Sequence, residues 1–330
     1  MSRRVRPIWV YALLSGLLAV LLLGLWLAAD PPLGNDGSKA LKPPVISKQV
    51  VKDTMALTPS PANATHPSPE VVFEENHGRD AGESSVPDDE PAQIESPKSH
   101  HGIALILDDV GYDLPALRRA IALKLPMAIA ILPNAPHASA AAELAHQAGY
   151  PVMLHMPMEP ANPHYSKLMD KSFIRAGMQR DVVRRMLHEA LIRVPHVEGV
   201  NNHMGSRLTT LEQPMRWVME VCKEQKLFFV DSRTNKDSIA AKVANETGLR
   251  WGQRRVFLDD SVKSELLMKS WQAARKRLIS KGSVIVIAHP HRETLDFLEM
   301  HVTASDRAVM VPIGSLLSPA SSPPHRIGGG

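Results

Sequence analysis

Eight short apolar runs, separated by longer amphipathic stretches, occupy residues 102–317 and restrict this chain's folding options more than any other feature. They are IALIL (103–107), MAIAIL (127–132), PVMLH (151–155), GVNNH (199–203), LFFVD (227–231), RVFLD (255–259), SVIVIAH (283–289) and AVMVPI (308–313). Helical periodicity fills the intervals at 113–124, 136–148, 179–194, 214–225, 236–247, 264–281 and 292–300. Strands that are apolar on both faces and alternate with helices form a parallel sheet covered by helices. Seven or eight such units in about 215 residues predict an α/β fold, a distorted TIM-like (β/α) barrel of seven to eight parallel strands, ahead of an open doubly wound sheet. No G-x-G-x-x-G or Walker loop follows any run, so no nucleotide is expected.

The rest of the chain reads differently. From Ile8 to Ala29 nearly every residue is apolar, with Arg3, Arg4 and Arg6 before the run and Asp30 after it. Twenty-two residues at about 1.5 Å each reach about 33 Å, enough for a hydrocarbon core. The run exceeds the apolar core of a cleaved signal peptide, which is the alternative. Residues 1–29 are therefore expected to be a cytoplasmic tip and transmembrane signal anchor. The positive-inside rule then places the remainder in the periplasm, held to the inner membrane through residues 8–29, or free there if the segment is cleaved. Residues 30–100 carry eleven prolines and 12 acids against 6 bases, and predict a disordered linker. The expected domain is 101–317, with a loose tail at 318–330. Overall net charge is +4, and no element concentrates Arg or Lys, so no nucleic-acid partner is expected. A lone cysteine, Cys222, excludes an internal disulfide and any cysteine-built metal site.

In a parallel (β/α) barrel the site is assembled at the C-terminal ends of the strands. Here the first run ends in Asp108-Asp109, the third in His155 and the fourth in Asn201-Asn202-His203. The fifth ends in Asp231, the sixth in Asp259-Asp260 and the seventh in His289-Pro290-His291. Asp231, Asp259 and Asp260 are equally well explained as helix caps or solvated groups. His137, His146, His188 and His196 lie on helical stretches or at their ends and read as surface groups. Three histidines closing three parallel strands opposite an Asp-Asp pair are harder to explain structurally. Two imidazoles and a carboxylate form a common ligand set for catalytic zinc.

The segments ALILDDVG, LHMPMEP, NNHMGSRLT, FVDSRT and IAHPH, in this order, resemble the divergent polysaccharide deacetylase family of bacterial envelopes. That family is related to metal-dependent carbohydrate deacetylases, and the resemblance covers roughly 102–316. It implies removal of N-acetyl groups from an amino-sugar polymer of the envelope, with a divalent metal, zinc first, as cofactor. It makes Asp108 the catalytic base, Asp109 a metal ligand and His289 the group that protonates the leaving amine, with His291 a nearby substitute. The usual H-x-x-x-H motif departs here to His155-Met-Pro-Met-Glu159, so His155 matches and the third ligand is either His203 or Glu159, with His203 preferred. Arg207 would orient Asp108 or bind substrate, or else form a surface ion pair. Asp231 would hold the His289 tautomer. Tyr112 and Tyr165 lie in rim loops, where they would stack on a sugar or simply pack. The alternative to catalysis is a degenerate barrel that binds envelope glycan or a partner protein.

Overall fold

The computed structural model describes residues 101–167 and 169–320. The alternation seen in the sequence becomes eight strands: β1 (Gly102–Val110), β2 (Met127–Ile131), β3 (Val152–Met158), β4 (Val197–Met204), β5 (Phe228–Asp231), β6 (Trp251–Gln253), β7 (Val256–Phe257) and β8 (Ser283–Ala288). All pair in parallel in one sheet of order β6-β5-β4-β3-β2-β1-β8-β7. Among the described residues nine helices accompany them: α1 (Leu114–Ala122), α2 (Ala138–Gln147), α3 (Pro163–Ser166), α4 (Arg180–Arg193), α5 (Glu212–Glu224), α6 (Ala240–Thr247), α7 (Ser264–Lys281), α8 (Arg292–His301) and α9 (Ala304–Val309).

The closed barrel expected from the sequence is corrected to a curled, open sheet, a distorted half-barrel flanked by helices. Residues 251–257 form one extended stretch divided between two neighbours. Trp251–Gln253 pairs with β5, Val256–Phe257 pairs with β8, and no ladder joins β6 to β7. Only Arg254 and Arg255 lie between them, far fewer than the dozen or so residues of a parallel crossover. The eighth predicted strand, 308–313, is also corrected. Thr303 and Asp306 close a reciprocal capping box that starts α9, so the apolar run begins as helix. Met310 alone bridges Ile103, and a 3-10 turn follows at Ile313–Ser315.

The membrane expectations are corrected as well. Among the described residues no helix is long and apolar enough to cross a membrane. The longest, α7, has 18 residues but carries Glu265, Lys269, Arg275, Lys276, Arg277 and Lys281, and buries its Leu267–Trp271–Ala274–Leu278 stripe together with Ser270. Inner-membrane anchoring and the periplasmic placement that rested on it therefore have no support in the fold. The run 8–29, the linker 30–100 and the end of the tail, 321–330, lie outside the described residues. The start of that tail is tied down: Ser318 N–H donates to the Trp251 carbonyl at 2.7 Å.

Strand parity sorts the core into two parts. One set of positions packs under the helices, including Ile103, Leu105, Leu107, Ile129, Leu154 and Val286. The other set, Ala104, Ile106, Ala128, Ala130, Met153, Phe228, Val230, Ile285 and Ile287, fills the inside of the curl, plugged by Ile313 and Leu317. Following the inner parity toward the strand ends leads to Asp108 on β1, His155 on β3 and His289 just past β8, because side chains two apart share a face.

One ion pair fastens the last segment to this frame. Arg275 on α7 forks onto Asp306 at 2.7 and 2.5 Å. Burial alone would push the Asp306 carboxyl up, but Arg275 and the Thr303 hydrogen bonds hold it at about 2. A depressed pKa contributes stability above the ordinary carboxylate value and loses it as pH falls through the folded value. Asp306→Asn is expected to cost about 2 kcal/mol at pH 7 and progressively less from about pH 4 down to pH 2. Urea unfolding of both proteins at pH 7 and pH 3 checks this; an equal difference at the two pH values would contradict it.

Candidate metal centre

Adjacent residues on a regular strand point to opposite faces, so Asp108 and Asp109 should not serve one site. The end of β1 breaks that rule. Its register with β2 shifts between Leu107 and Val110, and Asp109 adopts φ 56. Aspartate is among the few residues that tolerate this left-handed conformation. The kink turns both carboxylates toward one ring: Asp108 Oδ2 lies 3.7 Å from His155 Nδ1, and Asp109 Oδ1 lies 3.2 Å from His155 Nε2.

The register of β3 on β4 sets His155 beside Asn201, with His203 two residues further along the same face. His203 Nδ1 stands 2.9 Å from Asp109 Oδ1 and 3.2 Å from His155 Nε2. Asn201 fixes the chemistry of this group. Its Nδ2 donates to both oxygens of Asp108 at 2.9 and 3.0 Å, which turns its Oδ1 toward His155 Nδ1 at 2.9 Å. His155 must then carry its proton on Nδ1, leaving the Nε2 lone pair facing Asp109 and His203. Both oxygens of Asp109 are buried and accept no hydrogen bond of good geometry. Lone pairs of an imidazole and a buried carboxylate converging this closely need a positive centre between them, a proton on His203 Nδ1 or a metal ion. The residues therefore fit a divalent metal, with Asp109, His155 and His203 as the candidate triad.

Burial would raise the Asp109 carboxyl, but positive charge on its imidazole neighbours, His203 first, overcomes that and holds the group well below the usual range, and a cation at this point would act in the same direction. Asp108 goes the other way: burial raises it, with help from the Asp109 charge, against His155, His289 and the Asn201 hydrogen bond. Asn201 was visible in the sequence only as part of a strand-ending motif, and its tautomer-setting contact follows from the β3–β4 register. Asn201→Ala should free the His155 ring and lower metal affinity about 10–100-fold, as loss of a partner behind a ligand does. Competition against a zinc-chelating dye reads this directly, and an unchanged affinity would refute it.

A second group lies against the first. His289 Nε2 is 3.9 Å from Asp109 Oδ2, and His289 Nδ1 is 3.0 Å from Asp259 Oδ1. Asp259 Oδ2 accepts from the His289 N–H at 2.7 Å and from Thr294 Oγ1 at 2.8 Å. Burial would raise Asp259, but His289 and Thr294 hold it below the ordinary carboxylate value. His291 sits beside His289, with ring centroids 5.8 Å apart, and burial lowers its imidazole. The contact to His289 expected of Asp231 is thus made by Asp259. Phe228 and Val230 fill the inside of the curl, which turns Asp231 to the other face. There it accepts from the Arg233 N–H and Ser238 Oγ, both at 2.8 Å, and organises the turn after β5. Phe257 packs against the inner core, so Asp259, two residues on, faces inward; that parity was the available signal.

Other expected site residues settle apart from the triad. Glu159 accepts from the Ala176 N–H at 2.6 Å and from Arg207 Nη1 at 2.7 Å. Both of its oxygens are engaged there, and Arg207 is a surface ion-pair partner, its side chain 57% exposed. Tyr112 is half-buried against the core beneath the helices, its hydroxyl raised by burial and then by the Asp109 and Asp170 charges. Tyr165 stands on the short helix α3 with its ring edge against His164.

The structure is thus a curled parallel sheet with flanking helices that carries, at its strand ends, an Asp-His-His cluster able to hold a divalent metal. The family model for divergent polysaccharide deacetylase matches residues 105–317, and the chain belongs to that family. An uncharacterised Escherichia coli K12 protein, YibQ, is 33% identical over 209 residues, covering 63% of this chain and 65% of its own length. An uncharacterised Haemophilus influenzae protein is 35% identical over 197 residues, 60% of this chain and 69% of that protein. The match thus spans about two thirds of each relative. The crystal structure of an uncharacterised protein from Agrobacterium tumefaciens C58 superposes with a TM-score of 0.61 at 17% identity, over 66% of this chain and 90% of that one, a likeness of fold.

Proposed function

We propose that this protein removes N-acetyl groups from an amino-sugar polymer of the cell envelope by metal-dependent amide hydrolysis. The observation that carries the reading is the convergence of Asp109, His155 and His203 beside a second carboxylate, Asp108, and a carboxylate-backed imidazole, His289. Imidazole and carboxylate donors suit zinc first. When bound, such an ion polarises a carbonyl and lowers the cost of deprotonating water.

The chain's own groups supply the rest. Asp108, pushed up by burial, takes a proton from the attacking water, and Asn201 holds both of its oxygens in place during that transfer. The amine is a poor leaving group until its nitrogen is protonated. His289 donates that proton from Nε2, which faces the triad, while Asp259 secures Nδ1 and stabilises the ring in its charged form.

The test is to strip the protein with a chelator, restore zinc, cobalt or manganese, and measure acetate released from N-acetylated chito-oligosaccharides and peptidoglycan fragments. One equivalent of metal and metal-dependent release are expected. If no metal binds and none restores activity, the hydrolase reading falls, and binding of the same glycans becomes the function to measure.

A further inference from the structure

Asp259, His289 and His291 bring one carboxylate oxygen and two ring nitrogens within 4.8 Å of one another, outside the triad. We infer that these three residues form a second divalent-metal site, and that filling it inhibits the enzyme. The inhibitory half rests on the reading of His289 as proton donor.

The donor set is again imidazole and carboxylate, suited to zinc rather than to magnesium or calcium. Asp259 uses Oδ2 for the His289 N–H and Thr294, which leaves Oδ1 directed at His289 Nδ1, 3.0 Å away. His291 occupies the N-cap position of α8 but makes no side-chain cap bond, and its ring is tilted 50° to that of His289. The second site binds more weakly than the first for two reasons. Donors of the triad already lie within 3.2 Å of each other, whereas in the second group the His291 ring is centred 5.8 Å from that of His289. The cation must also displace the proton between Asp259 and His289 Nδ1.

That displacement is what inhibits. An imidazole releases a proton readily near neutral pH only when both ring nitrogens carry one. A cation on Nδ1 takes the nitrogen that Asp259 backs, so the ring can no longer carry a proton on both nitrogens, and an Nε2 proton is then held too firmly to pass to the departing amine. Excess metal thus turns off the step that activating metal prepares.

The experiment uses the full-length, untagged protein, stripped with a chelator and titrated with zinc chloride. Calorimetry in buffers of different ionisation heat counts ions and released protons, and acetate release is measured on the same samples. Two classes of zinc are expected in the wild type, with turnover rising over the first equivalent. It should fall by about a hundredfold as the second fills, the loss typical of removing a general acid. His291→Ala should retain the first class, lose the second and lose the falling limb. His291→Asp, which returns a donor, should restore both. Asp109→Asn should do the reverse of His291→Ala, losing the tight class and keeping the weak one. Saturation of the wild type by one equivalent overturns the proposal, as does a second class that survives in His291→Ala. If one equivalent gives no acetate release on any substrate, the proposed function and the inhibition fall together, and the His291 calorimetry alone still decides whether the second site exists.

Discussion

Asp109→Asn, His155→Ala and His203→Ala should each lose the bound divalent ion and lower acetate release by about 10³-fold or more. Lewis-acid stabilisation is worth several kcal/mol, and each 1.4 kcal/mol is about tenfold in rate. Asparagine is the informative change at position 109. It keeps a residue type that accepts the left-handed backbone there, so lost metal reports the lost charge and not a rebuilt strand end. Glu159→Gln is the control, because its contacts run to the Ala176 N–H and Arg207. It should retain a full equivalent of metal. Elemental analysis of the four purified variants beside the wild type, with rates on one N-acetylated oligosaccharide, settles the ligand set. Metal lost from Glu159→Gln but kept by His203→Ala would move the third ligand to Glu159 and leave the reaction class standing.

The parallel sheet and most of its strands were legible because buried parallel strands are continuous apolar runs that helices must cover. Placing the site at the strand ends required only that the runs be read to their last residue. Two things needed three dimensions. The kink at Asp109 has no signature beyond the adjacency of two aspartates, yet it decides that both serve one site. The division of residues 251–257 between β5 and β8 depends on which neighbour each half meets, and seven residues of extended chain do not announce a seam. The exchange of Asp231 for Asp259 is a different kind of miss. Inner parity runs Phe228, Val230 on one strand and Phe257, Asp259 on the other, but the adjacent Phe228 and Phe229 allow either parity in the sequence, so only the packing turns Asp231 away and Asp259 in. At 308–313 a real β pattern lost to a local signal, the Thr303–Asp306 capping box.

Asp108→Asn and Asp259→Asn should both slow turnover by about 10²–10⁴-fold, the usual range for losing a general base or acid, while both keep the metal. They are separated by the leaving group. Asparagine at 108 still accepts a hydrogen bond from Asn201 but cannot take a proton from water. That step precedes any loss of amine, so alkyl amides and activated aryl amides of acetate should suffer alike. Asparagine at 259 acts later. Its carbonyl can continue to accept from the His289 N–H and Thr294, which turns its NH₂ toward His289 Nδ1 in place of a carboxylate oxygen. The ring then loses the negative partner that stabilises its doubly protonated form. Protonating a basic alkyl amine becomes difficult, whereas an aryl amine bearing a nitro group departs with little help. The Asp259→Asn defect should therefore shrink toward wild-type rates on the activated amide, and the Asp108→Asn defect should not. A rate ratio between the two substrates that is the same in both variants would remove His289 from the acid role, and the proton for the amine would have to come from Asp108 after it has served as base.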